Sequence, residues 1–175
     1  MIRAILLFAV CGALGAQDTQ PSAALQGRLT QYRELRKKAA SGVPKLKPKS
    51  SPQAIENNQR MLAHRIQEAR EYAQQGNIFT PPIAAEFKQL IGETMKGPDG
   101  VTIRQSLARG EPVKLNLQAN HEYPKGIPLQ TTPPSLLRNL PKLPEGYEYR
   151  VVNHSLLLLD VGANLIVDLI PNVIP

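Results

Sequence analysis

The side chains best suited to acid–base or metal chemistry near neutral pH are three histidines, His64, His121 and His154. His64 and Glu68 stand one helical turn apart, so both could reach a single metal ion. The same spacing equally describes a solvated helix face. His121 and Glu122 adjoin at the end of an alternating segment and form the candidate catalytic pair, a base beside a carboxylate. An acyl-transfer enzyme also needs a nucleophile. The one cysteine, Cys11, lies in an apolar N-terminal stretch, and no serine stands in a nucleophile-elbow context. Neither a glycine-rich phosphate loop nor an HExxH motif occurs, and no cofactor is expected.

Charge is a stronger signal than catalysis. The chain of 175 residues carries a net charge of +7, and the excess is concentrated. Between Arg28 and Lys49 stand eight basic residues, Arg28, Arg33, Arg36, Lys37, Lys38, Lys45, Lys47 and Lys49, against one acid, Glu34. From Ser50 onward 12 basic and 12 acidic residues cancel. A cationic segment on a neutral body can steer a protein to an anionic envelope surface or an acidic protein partner. It can also serve only as a solvated linker. No aromatic residues interleave with the basic ones of the linker, which argues against nucleic acid.

The N-terminus has the layout of a secretory signal peptide. Arg3 precedes the uncharged stretch Ala4 to Leu14, and small residues Gly15 and Ala16 lead into polar sequence. Cleavage after Ala16 is the expected processing, giving a signal peptide over 1–16, a helix and basic linker arm over 17–51 and an α+β domain over 52–175. The mature chain would then lack cysteine and have no disulfide.

Periodicity supplies the elements that must position these groups. Leu25, Leu29, Tyr32 and Leu35 form a narrow helical stripe behind a Ser22 cap. Gly42 to Pro52 reads as linker. Ser51-Pro52 opens a second helix with Ile55, Leu62, Ile66, Ala69 and Ala73 inward, stopping at Gly76. Thr80-Pro81 opens a third, through Ile83, Phe87, Leu90, Ile91 and Met95, and Asp99 a fourth, with Ile103 and Leu107 inward. Val113, Leu115, Leu117 and Ala119 alternate with polar residues, as in a half-buried strand. Tyr123 to Pro144, with six prolines, reads as extended, with one helical turn through Leu136, Leu137 and Leu140.

The run from Tyr147 to Pro171 is the most apolar part of the expected domain. Asp160 and Asp168 interrupt it, so no stretch approaches the roughly 20 apolar residues of a spanning helix. A sheet fits. Asn153-His154 makes a two-residue turn that pairs Val151 with Leu156, Tyr149 with Leu158 and Tyr147 with Asp160. Val161 to Asn164 makes a second turn, and Leu165–Ile170 returns as a third strand. The expected architecture is α+β, a small helical layer on a C-terminal antiparallel meander of three to four strands, with an extended basic N-terminal arm. The middle strand is apolar on both faces and should be covered on both.

"YRVVNHSLLLLD" followed by "NLIVDLI" resembles the C-terminal hairpin of RcnB-like periplasmic proteins and of related small secreted bacterial families of unknown function. Tyr149, Arg150, Val152, Leu156 and Asp160 match its pattern, while Asn153 and Ser155 replace the usual Gly and Asp. The likeness covers about the last 25 residues and implies an envelope module. The leading expectation is therefore an exported, non-enzymatic envelope protein, periplasmic or membrane-peripheral. Its body would bind a partner or self-associate, and its arm would tether it. One alternative is a small hydrolase using His121 and Glu122. Another is a subunit whose two-sided sheet needs a partner chain to cover it.

Overall fold

A computed structural model describes residues 22–109, 115–124, 126 and 132–175. The expected signal peptide, Cys11 and Val113 lie outside them. Five helices precede or interrupt a four-stranded sheet: α1 Ala23–Ala40, α2 Pro52–Ala69, α3 Pro81–Lys96, α4 Gly100–Ala108, β1 His121–Glu122, α5 Pro134–Leu137, β2 Tyr147–Val152, β3 Ser155–Asp160 and β4 Leu165–Ile170. The class is α+β. The sheet is antiparallel in the order β1-β4-β3-β2.

The hairpin forms in the register its apolar pattern demands. Val151 faces Leu156, Tyr149 faces Leu158 and Tyr147 faces Asp160. Asn153 takes φ 52° and Asn164 φ 48°, the left-handed region that asparagine tolerates at turns. Tyr147, Tyr149, Val151, Leu156 and Leu158 face the main core together with Leu62, Ile66, Phe87, Ile91 and Ile103 of the helices. Val152, Leu157, Leu159, Ile166 and Leu169 form a second cluster on the other face with Ala119, Tyr123, Leu115 and Leu117. All six residues of β4 are buried, as both faces are covered.

Four expectations change. The alternating segment is inward-facing at Leu115, Leu117 and Ala119, yet residues 115–118 make no regular strand, and the fourth strand is the short β1 beside β4. Helix α2 stops at Ala69 rather than Gly76. Asn120 Nδ2 donates to the Arg70 carbonyl (3.0 Å) and capping ends the helix there. Ile55 is 47% exposed rather than buried. Finally, Leu25, Leu29 and Tyr32 of α1 lie in the same core as the sheet, so the helical half of the basic arm belongs to the body. Only the linker after it extends.

Burial of phenols also makes the stability of the fold depend on alkaline pH. Burial, then the charge of Asp160, pushes the Tyr147 phenol up to about 12. Burial, then the charge of Glu86, raises that of Tyr149. Below about pH 10 both are protonated folded or unfolded, and the stability is fully present. Above it the unfolded chain releases phenolic protons that the folded chain retains, so stability falls as pH rises towards the folded values. Among the described residues the buried Tyr149 hydroxyl has no hydrogen-bond partner. Tyr149→Phe should therefore cost under about 0.5 kcal/mol at neutral pH and make the alkaline decline shallower. Urea midpoints from about pH 7 to about pH 11 check both. A large loss at pH 7 would mean the hydroxyl has a partner.

Candidate functional site

The basic surface is positioned by what α1 must bury. Leu25, Leu29, Tyr32 and Ala39 turn inward, and the Ser22 hydroxyl caps the helix by accepting the Leu25 N–H at 3.4 Å. The Tyr32 ring meets Tyr147 edge-on at 5.8 Å between centroids, and the Arg70 guanidinium lies over the same Tyr32 ring, 5.1 Å from its centroid. Once this stripe is inward, Arg28, Arg33, Lys37 and Lys38 are left exposed.

Arg36 falls on the buried stripe and differs from its neighbours. Its Nε donates to Asp160 Oδ2 at 2.5 Å, and the Asp160 side chain is fully buried. Burial disfavours the Arg36 cation, but the hydrogen bond and charge of Asp160 outweigh it and hold the guanidinium above its ordinary pKa. Arg36 was expected to bind a partner. Its charge is committed inside the protein, because a buried carboxylate needs a counter-charge.

The linker is ordered by a few local bonds. The Val43 N–H donates to the Ala40 carbonyl at 3.0 Å, and Val43 packs against the core. Asn58 Nδ2 donates to the Pro44 carbonyl at 2.5 Å. The Ser50 hydroxyl donates to the Lys47 carbonyl at 2.8 Å and accepts the Lys47 N–H at 3.1 Å. Lys49, at φ 66°, completes this tight turn. Lys45, Lys47 and Lys49 are exposed on it. Among the described residues, ion pairs join Arg36 to Asp160, His64 to Glu68, Arg138 to Asp99 and Arg150 to Glu148, and none involves the other seven basic residues of this segment. Arg33 and Lys142 also line one shallow groove of ≈ 340 Å³ beside α1.

The other candidates do not converge. His121 and Glu122 are both exposed, and as neighbours on a strand they project to opposite sides. His121 Nδ1 lies 3.0 Å from the Ala119 carbonyl, a local contact. The strand therefore does not bring His121 and Glu122 together. His64 Nδ1 and Glu68 Oε1 are 3.5 Å apart on an open helix face, with 72% and 64% of their side chains exposed. Among the described residues no third metal-ligating side chain joins them. His154 Nδ1 sits 3.0 Å from the Ile174 carbonyl, where the chain end folds over the hairpin turn.

Two buried carboxylates, Asp160 and Asp168, form polar centres that the sequence did not mark as such. Asp160 also accepts the Tyr32 hydroxyl at 3.0 Å and the Ala163 N–H at 3.2 Å. Asp168 Oδ1 accepts Gly76 N–H (2.9 Å) and Leu169 N–H (2.8 Å), and Oδ2 accepts Ile78 N–H (2.7 Å) and Phe79 N–H (2.8 Å). A carboxylate inside a run apolar on both faces must find such donors, and that is the signal that could have located them. Both centres tie the sheet to the helical layer. The second sheet face, for which a covering partner was one expectation, is closed within the chain: Leu157 and Ile166 are 0% and 1% exposed.

Among the described residues no helix is long and apolar enough to cross a membrane. Comparison with protein-family models, with curated proteins and with solved structures returned no match.

Proposed function

We propose that this chain is an exported, non-enzymatic protein of the cell envelope that engages an anionic partner through the exposed basic residues of α1 and the linker that follows it. One observation carries the reading: folding commits Arg36 internally and leaves Arg28, Arg33, Lys37, Lys38, Lys45, Lys47 and Lys49 exposed on an ordered surface. The rest of the chain after Lys49 is neutral, so the field of the molecule is directed by this segment. The signal-peptide layout and the hairpin resemblance support the envelope setting.

Salt tests the reading. Binding of the full chain to immobilised polyglutamate should weaken at least several-fold as the Debye length falls from about 10 Å near 0.1 M to about 3 Å near 1 M. Replacing the seven exposed basic residues by glutamine should remove that dependence. Binding that ignores both salt and these substitutions would leave the segment a linker only. Export is checked separately, by finding the shortened chain outside the cytoplasm.

A further inference from the structure

The linker holds one large apolar side chain among its lysines. Leu46 stands between Lys45 and Lys47, is 46% exposed and belongs to neither core cluster. It is displayed rather than trailing: the Pro44 carbonyl is held by Asn58 before it, and the Lys47–Ser50 turn is closed by the Ser50 hydroxyl after it. Resting on the anionic-partner reading above, we infer that this loop docks on the surface of an anionic lipid bilayer. Leu46 enters the headgroup–acyl boundary, and Lys45, Lys47 and Lys49 lie among the lipid phosphates.

The composition of the loop favours lipid over an acidic protein. Its cations are all lysines. Lysine is a compact point charge on a flexible stem, suited to mobile headgroups, and its stem can lie along apolar surface while the ammonium stays in water. Protein interfaces instead favour arginine and aromatic anchors and are depleted in lysine. Residues 43–50 contain no arginine and no aromatic residue. Pro44 and Pro48 lack an N–H, so the loop cannot add as a regular strand to a partner's sheet edge. An exposed leucine amid lysines combines the two attractions that peripheral binding needs, apolar insertion and charge.

Co-sedimentation of the full chain with phosphatidylcholine vesicles, with and without phosphatidylglycerol, tests this. Neutral vesicles supply the baseline for any binding by the apolar N-terminal stretch, which every variant shares. Wild type should prefer the anionic vesicles. Leu46→Asn, which keeps every charge, should weaken binding to the anionic vesicles by about fivefold. Replacing Lys45, Lys47 and Lys49 together by glutamine should weaken it by about 100-fold, roughly fivefold per lysine. Unchanged circular-dichroism melting would show that these exposed substitutions leave the fold intact. Wild-type binding to polyglutamate with no preference for anionic vesicles would overturn the lipid inference and leave the anionic-partner reading standing. A Leu46→Asn chain that binds anionic vesicles like wild type would overturn insertion. Loss of binding to both probes would remove both readings.

Discussion

Asp168→Ala is expected to destabilise the protein by roughly 4 kcal/mol, most of the stability of a marginal domain. The side chain is fully buried, and its two oxygens accept four backbone N–H groups, three of them from the Gly76–Phe79 connection between α2 and α3. Alanine leaves those donors in a space with no acceptor. Asparagine should not rescue. Each carboxylate oxygen takes two N–H donors, so either orientation of the amide sets its NH2 group against two of them. Urea denaturation of the two variants provides the measurement, with hydrogen exchange at Gly76, Ile78 and Phe79 as the local readout. An asparagine variant within about 1 kcal/mol of wild type would refute this account.

Asp160→Ala should cost a comparable amount, roughly 3–5 kcal/mol, for a different reason. It strands the Arg36 cation, whose side chain is only 29% exposed, and removes the acceptor for the Tyr32 hydroxyl and the Ala163 N–H. Replacing both partners should be far less harmful than the two single changes added together. The pair Asp160→Leu with Arg36→Met leaves no unpaired charge, and the coupling read from a double-mutant cycle should exceed about 1.5 kcal/mol. Additive losses would mean that the pair is no unit. The effect extends beyond stability. Arg36 and Tyr32 fasten α1 to the end of β3, so loosening them should also blunt binding by the basic residues that α1 presents.

Much of the sheet was legible because it is local. Period-two alternation and an asparagine turn fix the register of β2 on β3, and a one-residue slip would turn Leu156 and Leu158 away from the core. The middle strand's apolar character on both faces announced that both would be covered. The helix starts at Ser22 and Ser51 were legible too, since the hydroxyl accepts a backbone N–H within the next turn. The fourth strand was placed too early in the chain. Residues 115–118 do alternate inward and outward, but against the second face of the sheet rather than in its hydrogen-bonded ladder.

The bulge in β4 was not legible at all. Leu158 pairs with Asp168 and Leu159 with Ile166, so Val167 is an extra residue. Strict alternation would put Asp168 on the same face as Ile166. The bulge turns Asp168 instead toward the helical layer, and both terminal nitrogens of Arg70 donate to the Val167 carbonyl at 3.2 Å. Among the site candidates, the sequence located the basic segment but could not single out Arg36. Its fate depends on Asp160, 124 residues away.

By itself, then, the sequence determined the hairpin, the helix starts and where positive charge accumulates, since each depends on neighbours a few residues apart. Tertiary structure alone decided which of those charges is spent internally, that α1 joins the body, and which backbone amides receive the two aspartates. Those outcomes follow from the cost of burying an unpaired charge, which is settled only when distant segments meet.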